Sequence, residues 1–176
     1  MNASYPEIAA AVRVLMALVF VTAAASKMRH WSIFEGVVGN YRLLPQFAVR
    51  AFAWLLPPCE VAVALAVLLN LPYAALAAAA LLTLFAVAMA VNILRGRSHI
   101  DCGCFNSALK QPLRWSLVIR NAVLVGLLIF DSGASASVTD NAFALGFLGG
   151  VSLFVIVQCV NALLAIPALA PRHAHR

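Results

Sequence analysis

Five long runs of apolar residues, at about 8–26, 49–70, 73–94, 114–130 and 142–166, are separated by short, more polar connections. Each run is near the roughly 20 residues that a helix needs to cross a hydrocarbon core about 30 Å thick. None shows the period-two alternation of a barrel strand. Helices are then the remaining way for a chain in lipid to satisfy its backbone N–H and C=O groups. The pattern predicts an all-α, polytopic membrane bundle of about five transmembrane helices, one integral domain over residues 1–176. Between the first two runs, Trp31, Phe34, Val37, Val38, Tyr41 and Leu44 recur at steps of three or four, with Ser32, Glu35, Asn40 and Arg42 opposite. That spacing predicts one interfacial amphipathic helix, lying in the membrane surface or packed on the end of the bundle.

Composition sharpens this picture. The chain is 64% hydrophobic and 10% charged, with a mean hydropathy of +0.97, whereas soluble domains are about half apolar and a quarter charged. A soluble enzyme is thereby excluded. The net charge of +6 is not a nucleic-acid footprint either, because the basic residues are distributed by loop rather than massed on one face. Four lie after the first run (Lys27, Arg29, Arg42, Arg50), four after the third (Arg95, Arg97, Lys110, Arg114) and two in the tail (Arg172, Arg176). With five spans, all ten of these fall on one side. The positive-inside rule makes that side the cytoplasm of a bacterial inner membrane and sets the N-terminus in the periplasm. "VLMALVFV" followed by "TAAAS" also has the form of a signal peptide, but cleavage there would leave the first basic loop outside. Arg13 and Arg120 fall inside spans, each about five residues from an end, within snorkelling reach of the interface.

Chemistry concentrates in "RGRSHIDCGCFN", residues 95–106. Cys102 and Cys104 flank Gly103. In an extended strand, residues i and i+2 lie about 6.6–6.8 Å apart, while a disulfide takes Cα atoms about 4.4–6.8 Å apart. Closing the pair therefore needs a bend, which Gly103 permits. Strained, exposed disulfides are the labile and catalytic ones. Arg95 and Arg97 shape the electrostatics in favour of thiolate and Asp101 opposes them. Redox exchange, a soft-metal site and inert thiols all remain open for the pair; as a metal site it lacks the four ligands of closed zinc, so no metal is assigned. Cys59 and Cys159 lie at matched depths, roughly 12–16 Å from the cytoplasmic ends of their spans. They are either core filler or a second pair that relays electrons. Glu60 stands near mid-membrane, where an ionisable group is a functional candidate. It is read as a satisfied structural acid or as a proton handler for the thiols, with Arg120, Asn121 or Asn92 as its partner. Pro57 and Pro58 precede it, and Gly146, Gly150, Gln158 and Asn161 read as helix-packing residues.

The stretch "VNILRGRSHIDCGCFNSALKQPLRWSLVIRN", residues 91–121, resembles the MauE family of methylamine utilisation membrane proteins, described as redox-associated and loosely DoxX-like. Its basic R-G-R run and C-G-C-F correspond to Arg95, Gly96, Arg97, Cys102, Gly103, Cys104 and Phe105, with Asn106 where Gly is usual. "SK" at 26–27, "YRLLP" at 41–45 and the acid at Glu60 are similar too. The resemblance implies about five spans and a role in maturing the small subunit of methylamine dehydrogenase, an exported enzyme rich in disulfides, beside a thioredoxin-like partner. It carries over neither Cys59 nor Cys159. The residues identify no cofactor, and none of them supports a quinone.

These readings lead to a membrane thiol-disulfide protein that assists maturation of an exported periplasmic enzyme. Disulfides form in oxidising compartments, so a cytoplasmic Cys-Gly-Cys implies that reductant is carried outward. Two other classes compete: a soft-metal transporter for mercury or copper, which should show cysteine pairs on both faces, and a non-catalytic scaffold for a thioredoxin-like protein.

Overall fold

The computed structural model describes residues 5–102, 112–132 and 140–169. Six helices stand among them: α1 (Tyr5–Arg29), α2 (Trp31–Tyr41), α3 (Gln46–Leu68), α4 (Ala74–Leu94), α5 (Trp115–Ser132) and α6 (Asp140–Leu169). Five coincide with the apolar runs and α2 is the amphipathic segment. The chain is a polytopic helical membrane protein. Four helices are long and apolar enough to cross a bilayer: Pro6–Arg29, Gln46–Leu68, Ala74–Leu94 and Phe143–Leu163.

The helix ends follow local chemistry. Glu7 sits in the first turn of α1 and Lys27 and Arg29 in its last, each with the sign the helix dipole favours. Arg42 ends α2 in the left-handed region (φ 48°), its N–H donating to Gly39 O. Pro45 then starts α3, since a proline fixes φ near the helical value and brings no N–H to satisfy. The tight α3–α4 turn uses positive φ at Asn70 and Tyr73. Asn visits that region readily; Tyr does so at a cost. Pro57 and Pro58 lie within one continuous α3.

α1 is the hub, with 72% of its span buried against 11% for α6. α3 and α6 both pack on α1, α4 packs on α5, and α2 packs on α3. Leu15, Met16, Phe20, Ala64, Ala78, Leu124 and Leu128 meet in the main core. Directions can be read from side-chain pairs. Gly146 lies against Glu7 and Ala10, and Gly150 against Ala11 and Val14, so α6 runs parallel to α1. Trp31 meets Trp54 at 4.5 Å between ring centroids, and Gly39 lies near Val49, so α2 runs antiparallel to the first half of α3. Its apolar face, Phe34 and Val37, is buried there on the bundle.

One expectation needs correcting at each end of the bundle. Arg13 does not snorkel to the interface. It is buried, and its Nε donates to Asp131 Oδ2 at 3.2 Å. Lys27 is not a loop charge but a buried residue of α1, because α1 continues past the apolar run. These pairs also define the path of α5. It starts beside Cys102, through Leu113 and Leu117, and ends at Asp131 against Arg13 near the start of α1. At about 1.5 Å per residue, its eighteen residues reach about 27 Å. α5 therefore runs from one end of the bundle to the other, although two charges, Arg120 and Asp131, dilute its apolar signal.

Candidate functional site

The end of the bundle opposite Arg13 and Asp131 gathers most of the chemistry. α1 ends deep enough for Lys27 to reach Glu60 on α3, Nζ to Oε1 at 2.5 Å. The side chains are 4% and 0% exposed. A buried carboxylate is expensive unless paired and hydrogen-bonded, so each residue of the pair requires the other. The ammonium also lies 5.6 Å from the Phe34 ring centroid and 5.3 Å from that of Phe85, close enough for cation–π attraction. Three helices and α2 thus converge on one cation.

Two of the partners expected for Glu60 make other bonds. Asn92 donates to Ala88 O at 3.0 Å, and Asn121 accepts from Arg120 Nη2 at 3.4 Å. Lys27 escaped the sequence reading because span lengths counted from hydropathy placed it beyond the membrane end. The pairing of "SK" with the acid in the family resemblance was the available signal.

Lys27 lines an apolar cavity of about 160 Å³ under α2, and Cys102 lines the same cavity. Phe34, Tyr41, Phe52, Phe85 and Met89 supply much of the remaining wall. Cys102 is 7% exposed. Burial corrects the view of this cysteine as a member of an exposed loop. Its Sγ lies 3.7 Å from Met89 Sδ, and the Tyr41 hydroxyl donates to its carbonyl at 3.3 Å. The chain just before it is pinned. Asp101 pairs antiparallel with Pro112, and Leu113 N donates to Ile100 O at 3.1 Å. Ile100, Cys102, Met89, Leu113 and Leu117 form a small core of their own. The backbone of Cys102 is therefore fixed, while its sulfur borders a water-poor cavity with a buried cation in its wall.

The other site residues are placed as follows. Arg95 is exposed and Arg97 half-buried, and between them Gly96 takes φ +72°, a conformation open to glycine at no steric cost. Gly103 and Cys104 lie outside the described residues. Cys59 and Cys159 are both free and both exposed. They sit on α3 and α6, each of which packs on α1, and the structure does not join them.

A family model described as methylamine utilisation protein MauE matches residues 5–132. A protein named methylamine utilization protein MauE from Paracoccus denitrificans is 47% identical over 159 residues, covering 86% of this chain and 84% of the relative. One of the same name from Paracoccus versutus is 43% identical over 93% of this chain and 91% of its own. Another from Methylophilus methylotrophus is 35% identical over 93% and 89%. No solved structure matches.

Proposed function

The chain belongs to the methylamine utilisation protein MauE family, and on that footing we propose that it is a membrane thiol-disulfide protein, exchanging disulfides at Cys102 and Cys104 to assist maturation of an exported enzyme of methylamine utilisation. A thioredoxin-like protein is its exchange partner, and a disulfide-containing enzyme subunit is the beneficiary. In each exchange a partner thiolate attacks one sulfur of the Cys102–Cys104 bond. One S–S bond forms as the other breaks, the leaving sulfur departs as thiolate, and a second exchange resolves the mixed disulfide. Two electrons move in all.

The observation that carries this reading is the placement of Cys102 in the wall of an apolar cavity that Lys27, ion-paired to the buried Glu60, also lines. Positive charge favours the thiolate form of a cysteine while apolar surroundings oppose it, and Lys27 supplies positive charge in this wall. Glu60 acts through Lys27, as a positioning residue. The exchange needs neither Cys59 nor Cys159, both of which face outward.

Alkylation trapping in cells tests the reading. Cys102 and Cys104 should be caught in both oxidised and reduced forms, in a ratio that moves when the thioredoxin-like partner is deleted. Cys102→Ser with Cys104→Ser should abolish accumulation of the mature enzyme, while Cys59→Ser with Cys159→Ser should leave the ratio unchanged. A pair that stays reduced whether or not the partner is present, together with full enzyme accumulation in the Cys102→Ser, Cys104→Ser variant, would sink the proposal.

Orientation is part of the same proposal. Among the described residues Arg29, Arg42, Arg50, Arg95, Arg97 and Arg114 gather at the Cys102 end, which the positive-inside rule turns toward the cytoplasm. In a background with Cys59, Cys102, Cys104 and Cys159 replaced by Ser, a Tyr73→Cys variant should react with a membrane-impermeant maleimide on whole cells. An Arg95→Cys variant should react only after permeabilisation. The reverse pattern inverts the topology.

A further inference from the structure

The ion pair at the end of the bundle away from Cys102 leaves one of its atoms unmatched. Arg13 Nε donates to Asp131 Oδ2 at 3.2 Å, and the two side chains are 8% and 5% exposed. Asp131 Oδ1 is buried too, and it finds no hydrogen-bond partner among the described residues. A carboxylate oxygen in that position is costly, and an unmatched buried group in a native fold calls for a reason. On the other side of the pair, a guanidinium carries five N–H donors, of which this bond engages the one on Nε.

Both charged side chains border a cavity of about 420 Å³. Its other walls come from the α3–α4 turn, through Asn70, Leu71 and Tyr73, and from the first turn of α4, through Leu76. Leu71, Tyr73 and Leu76 are exposed, so the mouth of the cavity lies at the rim of the bundle. An exposed tyrosine at a helix–helix turn marks the headgroup level of a bilayer.

The charges in the wall select the occupant. A ligand with net charge of either sign is attracted by one member of the pair and opposed by the other. A zwitterion turned the opposite way meets both: its phosphate accepts from the remaining guanidinium N–H groups, and its ammonium donates to Asp131 Oδ1. That second bond needs an N–H, which a quaternary ammonium lacks. The exposed leucines at the mouth suit a lipid rather than a soluble zwitterion.

We propose that this cavity binds the headgroup of a zwitterionic phospholipid bearing a primary ammonium, of the phosphatidylethanolamine type. The ammonium sits on Asp131 Oδ1, the phosphate on Arg13, and the acyl chains pass out over Leu71 and Leu76. The lipid thereby supplies the donor that the fold leaves out, and it ties α1 and α5 to the α3–α4 turn. The proposal is independent of the thiol chemistry at Cys102, which lies at the other end of the bundle.

The test uses the full chain purified in detergent and stripped of lipid, with native mass spectrometry after addition of phosphatidylethanolamine, phosphatidylcholine or phosphatidylglycerol. Phosphatidylethanolamine should bind more tightly than phosphatidylcholine by about ten-fold, the scale of one charge-assisted hydrogen bond. Phosphatidylglycerol, which brings a phosphate without a cation, should rank with phosphatidylcholine, and O-phosphoethanolamine in molar excess should not compete. Arg13→Met with Asp131→Leu should erase the preference, in a chain that still folds because replacing a whole buried pair by apolar residues removes both desolvation penalties. Ala75→Trp, which fills the cavity and leaves the pair in place, should weaken phosphatidylethanolamine to the level of phosphatidylcholine. Equal binding of phosphatidylethanolamine and phosphatidylcholine would overturn the site, as would a preference that survives either variant. Phosphatidylglycerol bound as tightly as phosphatidylethanolamine would show that only phosphate is read, and the proposed ammonium contact fails. Competition by O-phosphoethanolamine would overturn the lipid assignment in favour of a soluble zwitterion.

Discussion

Lys27→Met is expected to destabilise the protein by about 3–5 kcal/mol, the range for removing one partner of a buried ion pair. The cause is the carboxylate left behind. Glu60 has no side-chain exposure and Lys27 bonds its Oε1, so truncating the lysine strands a charge where water cannot reach it. Glu60→Leu alone should cost a similar amount by stranding the ammonium between Phe34 and Phe85. The double variant, Lys27→Met with Glu60→Leu, should recover most of the loss, because an apolar replacement of the whole pair removes both desolvation penalties. Denaturant titration in detergent micelles measures the four corners of this double-mutant cycle, and strong coupling is the signature of contact. Single variants within about 1 kcal/mol of wild type, a typical cost for any point change, would show that the pair is not sealed from solvent.

The same variants separate stability from function. If Lys27 only holds the fold, the stable double variant retains redox exchange at Cys102. Should the ammonium also serve the thiol, the double variant folds but its trapped Cys102–Cys104 ratio no longer answers to the partner.

The second large effect lies on the other face of α1. A Cβ placed on Gly146 would stand 2.4 Å from Ala10 Cβ and 2.9 Å from Glu7 O, and one on Gly150 would stand 2.7 Å from both Ala11 O and Val14 Cβ. Those distances are too short for any side chain, and the nearby atoms are backbone or Cβ, which cannot rotate away. Gly146→Leu with Gly150→Leu should therefore push α6 off α1. Overpacking costs about 1–3 kcal/mol per site in a dense core. Here the loss is concentrated, because α1 is the main support of α6. Cross-linking reads the outcome directly. A Cβ on Gly149 would lie 3.5 Å from Ala11 Cβ, inside the range for a disulfide, about 3.5–4.5 Å. Ala11→Cys with Gly149→Cys should oxidise readily in the otherwise native chain and fail to do so when both leucines are present. Cross-linking unaffected by the leucines would mean that small residues are not what seats α6.

Much of the fold is legible in residue order because lipid removes the alternatives. A run of apolar residues has to become a helix there, and its length sets whether it crosses. The alternation of Trp31, Phe34 and Val37 with Ser32 and Glu35 likewise foretold α2 and its buried face. Glu60 stood out as a costly acid, and Gly146 with Gly150 as a small-residue face. Hydropathy read the ends of helices less well. It stopped the first span before Lys27 and treated Arg13 as a snorkelling cation, since a scale that scores residues singly cannot see a charge cancelled by another 33 or 118 positions away. Cys102 was likewise read from its polar neighbours as an exposed loop residue, whereas Ile100 and Leu113 fold back on Met89 and bury it.

Residue order by itself fixed what each segment of this protein has to be: helical, membrane-bound, basic on one side, with two cysteines one glycine apart. Tertiary structure alone decided which charges meet, how deep α1 ends relative to α3, and that Cys102 shares a cavity with Lys27. Local hydropathy and hydrogen bonding act between near neighbours in the chain, so they are written in its order. Ion pairing and burial depend on the register of one helix against another, which is settled only when all six pack.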